Sequence, residues 1–106
     1  MKKGDIVLIP FPFSDLTGNK LRPALVLISS KNDVTVCFIT TQFKCKNKFD
    51  IEIFPSSENG IKKESIIRLN KFATLDKKIV LGKIGVIDIN SIKRINSNLK
   101  KILELD

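Results

Sequence analysis

A change of period constrains this chain most. From Asp5 to Val86, apolar and β-branched residues come in short runs that turn signals keep interrupting; beyond Asp88 they space themselves as on a helix. Residues 5–11 read as a buried first strand that ends at Pro10 and Pro12, and residues 14–21 as a loop marked by Ser-Asp and Gly-Asn. A second strand is expected over 24–29, a turn over 30–33 and a third strand over 34–41. Residues 42–48 make a basic loop, and 49–54 alternate apolar with acidic residues, the mark of a strand with one wet face. After the polar stretch 55–64, segments 65–69 and 71–75 read as further strand, either two strands or one bent near Asn70. A turn over 76–78 and a strand-like stretch over 79–86 follow. Ile92, Ile95, Leu99 and Ile102 then recur at helical spacing, with Asp88 or Asn90 as N-cap. The expected fold is mainly β with a C-terminal helix. It is a small closed or half-closed β-barrel, one domain over residues 1–106, with the helix packed on it.

Composition limits the chemistry. The chain has 106 residues, enough for one core without disulfides, and no His, Tyr or Trp. Any catalysis therefore falls to Arg, Lys, Asp, Glu, Ser, Thr or Cys. Two cysteines without a histidine make a poor metal site, so no metal or cofactor is expected. Cys37 reads as core packing, and Cys45 lies in the basic loop. Met1-Lys2-Lys3 runs directly into Gly4-Asp5 without a secretory apolar region, and no apolar run is long enough to span a bilayer; a cytoplasmic protein is expected. The net charge of +8 favours an anionic partner, nucleic acid first, although lysine-rich composition alone produces the same sum.

Only three of the 19 basic residues are arginine, so Arg22 at the head of the second strand stands out. Pro23 restricts its backbone, and a planar guanidinium at a sheet rim suits a phosphate. A surface pair with Asp15 is the plainer use of the same residue. Thr40, Thr41 and Gln42 bring two hydroxyls and an amide to the end of the third strand. Period-2 alternation points the two threonines to opposite faces, so one of them serves a given face. Lys44, Lys46 and Lys48 follow at once, as phosphate contacts or as an ordinary solvated loop.

Taken in order, Gly4-Asp5-Ile-Val, the Pro-Phe-Ser-Asp-Leu loop, Arg22-Pro23-Ala-Leu-Val and Ile39-Thr40-Thr41-Gln42 resemble the MazF/PemK family of toxin endoribonucleases. Glu64-Ser65-Ile-Ile-Arg-Leu, Thr74-Leu75-Asp76-Lys77 and the closing helix continue the likeness over nearly the whole chain. The resemblance implies an SH3-like (CcdB/MazF-type) barrel that dimerises. It also implies metal-free, sequence-specific cleavage of single-stranded RNA (mRNA) and inhibition by an acidic antitoxin protein. It assigns Arg22 and Thr40 to the scissile phosphate; Lys20, Thr41, Gln42, Lys44, Lys46, Ser65 and Lys71 are the RNA contacts expected around them. Two positions depart from the family pattern. Gly18-Asn19-Lys20-Leu21 stands where many relatives carry Glu or Gln with Gly, and Ala73 stands where many carry arginine. Lys71, two residues before Ala73 on the same strand face, is the natural substitute. Two other functions fit the same features: a non-catalytic poison of a gyrase-like protein, and a plain basic nucleic-acid-binding barrel.

Overall fold

A computed structural model of the chain describes residues 1–11 and 20–106. Strands β1 (Asp5–Phe11), β2 (Lys20–Ser29), β3 (Asp33–Thr40), β4 (Ile51–Ile53), β5 (Ser65–Asp76) and β6 (Gly82–Val86) precede helix α1 (Ile89–Ile102). The strands form a single six-stranded sheet in the order β4-β5-β3-β2-β1-β6, antiparallel at every pairing. This is the mainly-β, helix-terminated fold that the change of period implies.

The two faces of the curled sheet carry different cores. Ile6, Leu25, Cys37, Ile39, Ile51, Ile67 and Leu69 pack with Ile95 of α1, backed by Ile92, Leu99 and Ile102. Val7, Ile9, Ala24, Val26, Val34, Val36 and Leu75 cluster on the opposite face, with Phe38, Ala73 and Val80 against them. Period-2 alternation within β1, β2 and β3 feeds both clusters, which is why these strands are apolar almost throughout. Each fully buried Ile, Leu or Val contributes about 1.5–3 kcal/mol of transfer free energy.

The sheet's edge strands, β4 and β6, are bridged by the chain that follows β4. Val86 N–H donates to the Glu58 carbonyl at 2.8 Å, and Gly85 lies so close that a Cβ there would meet Asn59 O at 2.4 Å. Gly60 takes φ +69°, a conformation that glycine adopts without penalty. Buried Asn59 holds this segment in shape: its Oδ1 accepts from Ser56 and Ile61 N–H, and its Nδ2 donates to the Phe54 carbonyl. The barrel is thus half-closed by strands and completed by a loop.

Several boundaries differ from those the sequence leads one to expect. β2 starts at Lys20, because Lys20 and Leu21 pair with Phe11 and Pro10 of β1; Arg22 and Pro23 therefore lie within a strand. The rest of the loop expected over 14–21, including Asp15 and Gly18, lies outside the described residues. β5 is one strand, and the bend near Asn70 is a bulge: Cys37 pairs with Phe72 and Phe38 with Arg68, leaving 69–71 without partners on β3. Residues 79–86 are only partly strand. Asp76 accepts from Lys78 N–H at 2.8 Å and folds Lys77–Ile79 into a 3₁₀ turn first. The alternation over 49–54 also misplaces one residue. Asp50 is buried, because β4 begins only at Ile51 and Asp50 closes the preceding turn. Helix α1 is capped by Asp88 on Ser91 N–H at 2.9 Å and tied down by Asn98 Nδ2 on the Phe49 carbonyl.

Candidate active site

The site begins where the β2–β3 ladder ends. The last hydrogen-bonded pair is Ala24 with Phe38; carried two residues further, the same register sets Arg22 opposite Thr40. Pro23, between them and the ladder, has no N–H to offer a partner, which suits a place where pairing stops. Arg22, Thr40, Phe38, Ile39, Gln42, Arg68 and Lys71 line one open cavity of about 450 Å³.

Each side chain there has a local cause. Thr40 Oγ1 accepts the Gln42 N–H at 3.1 Å, which occupies an acceptor position and leaves the hydroxyl hydrogen to donate. Gln42 and Lys71 are exposed, and Arg22 reaches out from the rim. Arg68, paired with Phe38 across the bulge, is half-buried. Its Nε lies 4.0 Å from the buried Asp50 carboxylate and makes no hydrogen bond. Among the described residues, the lining holds three cations and no carboxylate. Such a surface can gather phosphate oxygens and donate to them from several directions.

The sequence-derived contact residues do not all meet. Gln42 and Lys71 join Arg22 and Thr40 in the cavity. Thr41 and Ser65 line a second, mostly apolar groove with Leu21, Pro23, Ile61, Lys62 and Lys63. Thr41 lies one residue beyond the end of β3 and lines that groove rather than the one beside Thr40. Ser65 is buried, and its hydroxyl donates to the Lys63 carbonyl at 2.8 Å. Lys46 is ion-paired with Glu52, and Lys44 is exposed on the 3₁₀ turn Phe43–Cys45 just outside the cavity lining. Lys48 sits over the Phe49 ring at 5.2 Å, and Lys20 is exposed at the start of β2. Arg68 is the residue that sequence reasoning passed over. Its signal was there, as one of only three arginines in a lysine-rich chain.

No group of three or more metal-ligating side chains occurs among the described residues. No helix among them is long and apolar enough to cross a membrane.

A curled antiparallel sheet with a terminal helix is an arrangement that solved structures share. The chain superimposes on an endoribonuclease solved with its cognate antitoxin from a mycobacterial species with a TM-score of 0.79, at 16% identity over 100% of this chain and 97% of that one. For the Mycobacterium tuberculosis toxin MazF-mt6 the TM-score is 0.77, at 19% identity over 96% and 98%. For MazF of Deinococcus radiodurans it is 0.76, at 18% identity over 99% and 97%. No curated protein sequence matches the chain. The family model for PemK-like, MazF-like toxins of type II toxin-antitoxin systems matches residues 2–103, and the chain belongs to that family.

Proposed function

We propose that this protein is the toxin of a type II pair and a metal-independent endoribonuclease that cuts single-stranded RNA at a short recurring sequence. The observation that carries the reading is the shared cavity of Arg22 and Thr40, with Arg68 and Lys71 beside them. RNA brings its own nucleophile. The 2′-oxygen attacks the adjacent phosphorus as the bond to the 5′-oxygen breaks, giving a 2′,3′-cyclic phosphate and a 5′-hydroxyl. The proton of the 2′-hydroxyl is lost, and the departing oxygen gains one.

The enzyme's share is to stabilise a crowded, anionic phosphorane. Arg22 supplies a planar, cationic donor fork, and Thr40 supplies a hydroxyl whose acceptor side is already engaged. One well-placed donor of this kind is worth about 2.7–4 kcal/mol of barrier. A guanidinium that keeps its proton is unsuited to act as general base, so Arg22 is assigned to charge stabilisation.

The same reading includes a homodimer acting in the cytoplasm and a protein antitoxin. A solved MazE-MazF structure of Deinococcus radiodurans, which shares this fold at a TM-score of 0.75, supports an antitoxin partner. A chain of net charge +8 with a cationic cavity suits an acidic inhibitory segment.

The test is incubation of the purified protein with a long single-stranded RNA in EDTA, beside Arg22→Ala, with mapping of the cut ends. Cleavage at recurring sites with 5′-hydroxyl ends, lost in the variant, is the expected result. RNA binding without cleavage by the wild type would leave only a binding barrel, and inhibition of gyrase in its place would make the protein a poison.

A further inference from the structure

We infer that Asp50, which lines no part of the cavity, is a positioning residue that holds Arg68 and the loop after β3 in the places the proposed cleavage requires. This rests on the endoribonuclease reading above. The side chain of Asp50 is 1% exposed, so it is a buried carboxylate that substrate does not reach. Burying such a group is costly unless donors surround it. Here Oδ2 accepts Asn47 N–H at 2.8 Å and Oδ1 accepts Leu69 N–H at 3.1 Å. Arg68 Nε lies 4.0 Å from Oδ2, too far for a hydrogen bond and near enough for charge attraction.

These donors come from two separated segments that flank the cavity. Asn47 lies in the loop between β3 and β4, which also carries Gln42, a cavity residue. Leu69 is the first of the residues on β5 that lack a partner on β3, so Asp50 supplies the acceptor that β3 does not. One carboxylate thus joins the loop to the bulge. The buried Nε of Arg68 lies toward that carboxylate, and the side chain, 21% exposed, also lines the cavity. A guanidinium with no other fixed partner on the Nε side depends on Asp50 for its orientation. Misplacing a catalytic contact by an ångström costs on the order of 10²-fold in rate.

The experiment compares wild type, Asp50→Asn, Arg68→Ala and the double variant in single-turnover cleavage of the RNA whose cut sites the end-mapping defines. Affinity is measured in parallel on the same RNA with a 2′-deoxy nucleotide at the scissile position. Asparagine keeps the shape and one acceptor oxygen but removes the charge. Asp50→Asn is expected to slow cleavage on the order of 10²-fold while affinity is retained. In the Arg68→Ala background the same change is expected to cost clearly less, since only the anchor of the loop remains to be lost. An equal loss of rate in both backgrounds, or a parallel loss of affinity and rate, overturns the inference. Should Asp50→Asn not fold, the Arg68 Nε–H resonance of ¹⁵N-labelled wild type decides. Slow exchange with solvent supports the anchor, and exchange as fast as that of exposed Arg94 refutes it. A wild type that cuts no RNA refutes the functional reading, and the positioning role falls with it.

Discussion

Arg22 and Thr40 each lie two residues beyond Ala24 and Phe38, the last pair of the β2–β3 ladder, and line the same cavity. The end of a ladder is a good place for a donor pair, because the sheet still fixes both Cα positions, Arg22 within β2 and Thr40 at the end of β3. Thr40 tests the arrangement with little structural disturbance. Thr40→Val keeps the branched shape and removes only the hydroxyl. Cleavage is expected to fall on the order of 10²-fold, and Thr40→Ser to restore most of it. Single-turnover rates of the two variants check this, and a Val variant as fast as wild type would remove Thr40 from the chemistry.

The lysines separate into two kinds. Lys71 is exposed in the cavity, whereas Lys46 is ion-paired with Glu52 on β4. Each phosphate neutralised by a protein cation on a single strand adds about 0.7 to the steepness of log K against log salt. Lys71→Ala is expected to lower that slope by about 0.7. Lys46→Ala should leave it nearly unchanged. Fluorescence titration of a labelled, uncleavable RNA over a salt series makes the comparison, and equal slopes for the two variants would contradict it.

Much of this was readable from residue patterns, and what was not has a common cause. The alternation in residues 34–41 turns Thr40 and Thr41 to opposite faces, and the structure puts them in two different grooves. The helix was equally plain, since Ile92, Ile95, Leu99 and Ile102 share one stripe. The link between Arg68 and Asp50 was hidden because a bulge follows Arg68 on β5 and a turn precedes β4. Period arguments assume uninterrupted strands and fail where one is broken. The closure over 55–61 was also hidden, since it rests on the backbone contacts of Gly85 and the side chain of Asn59.

The two thiols should differ sharply in reactivity. Burial, with the Asp50 charge adding to it, pushes the Cys37 thiol up to about 12 from 9.0. The thiolate is the reactive form, so native Cys37 is inert at pH 8, while half-buried Cys45 is accessible. Iodoacetamide at pH 8 is expected to modify Cys45 alone in the folded protein and both cysteines in urea, read by peptide mass spectrometry. The same shift has a thermodynamic sign. Above pH 9.0 the unfolded chain loses the Cys37 proton and the folded chain keeps it, so this group lowers stability as pH rises toward about 12.

Asp88 acts in the opposite pH range. The Ser91 side-chain hydrogen bond, reinforced by the Ser91 backbone N–H, holds its carboxyl below the usual aspartate value of 3.8. A depressed folded value means the stabilisation is present above the unfolded value and is lost as pH falls through the folded one. Acid should therefore fray α1 only below about pH 4. Asp88→Ala is expected to cost about 1 kcal/mol at neutral pH, the usual worth of an N-cap. Its stability should depend less on pH than that of the wild type in this acid range. Urea melts at pH 7 and pH 3 measure both quantities.

Asn59 should be the costliest polar residue to remove. It is 6% exposed and serves three backbone groups: the N–H of Ser56, the N–H of Ile61 and the carbonyl of Phe54. Replacement by alanine leaves these groups short of partners in the segment that bridges β4 and β6, at about 1–3 kcal/mol for each one that water does not reach. Gly85 is packed against the Asn59 backbone, so loosening this segment also loosens its hold on β6. Asn59→Ala is therefore expected to lower the urea midpoint by an amount equivalent to about 3 kcal/mol. Hydrogen exchange should show the loss concentrated at Val86 N–H, which donates to Glu58, and at the Ile61 amide. Asn59→Asp retains an acceptor for the two N–H groups and loses only the donor to Phe54, so it should fall between alanine and wild type. A midpoint for Asn59→Ala equal to that of the wild type would mean that Gly85 packing and the Val86–Glu58 bond close the barrel without Asn59.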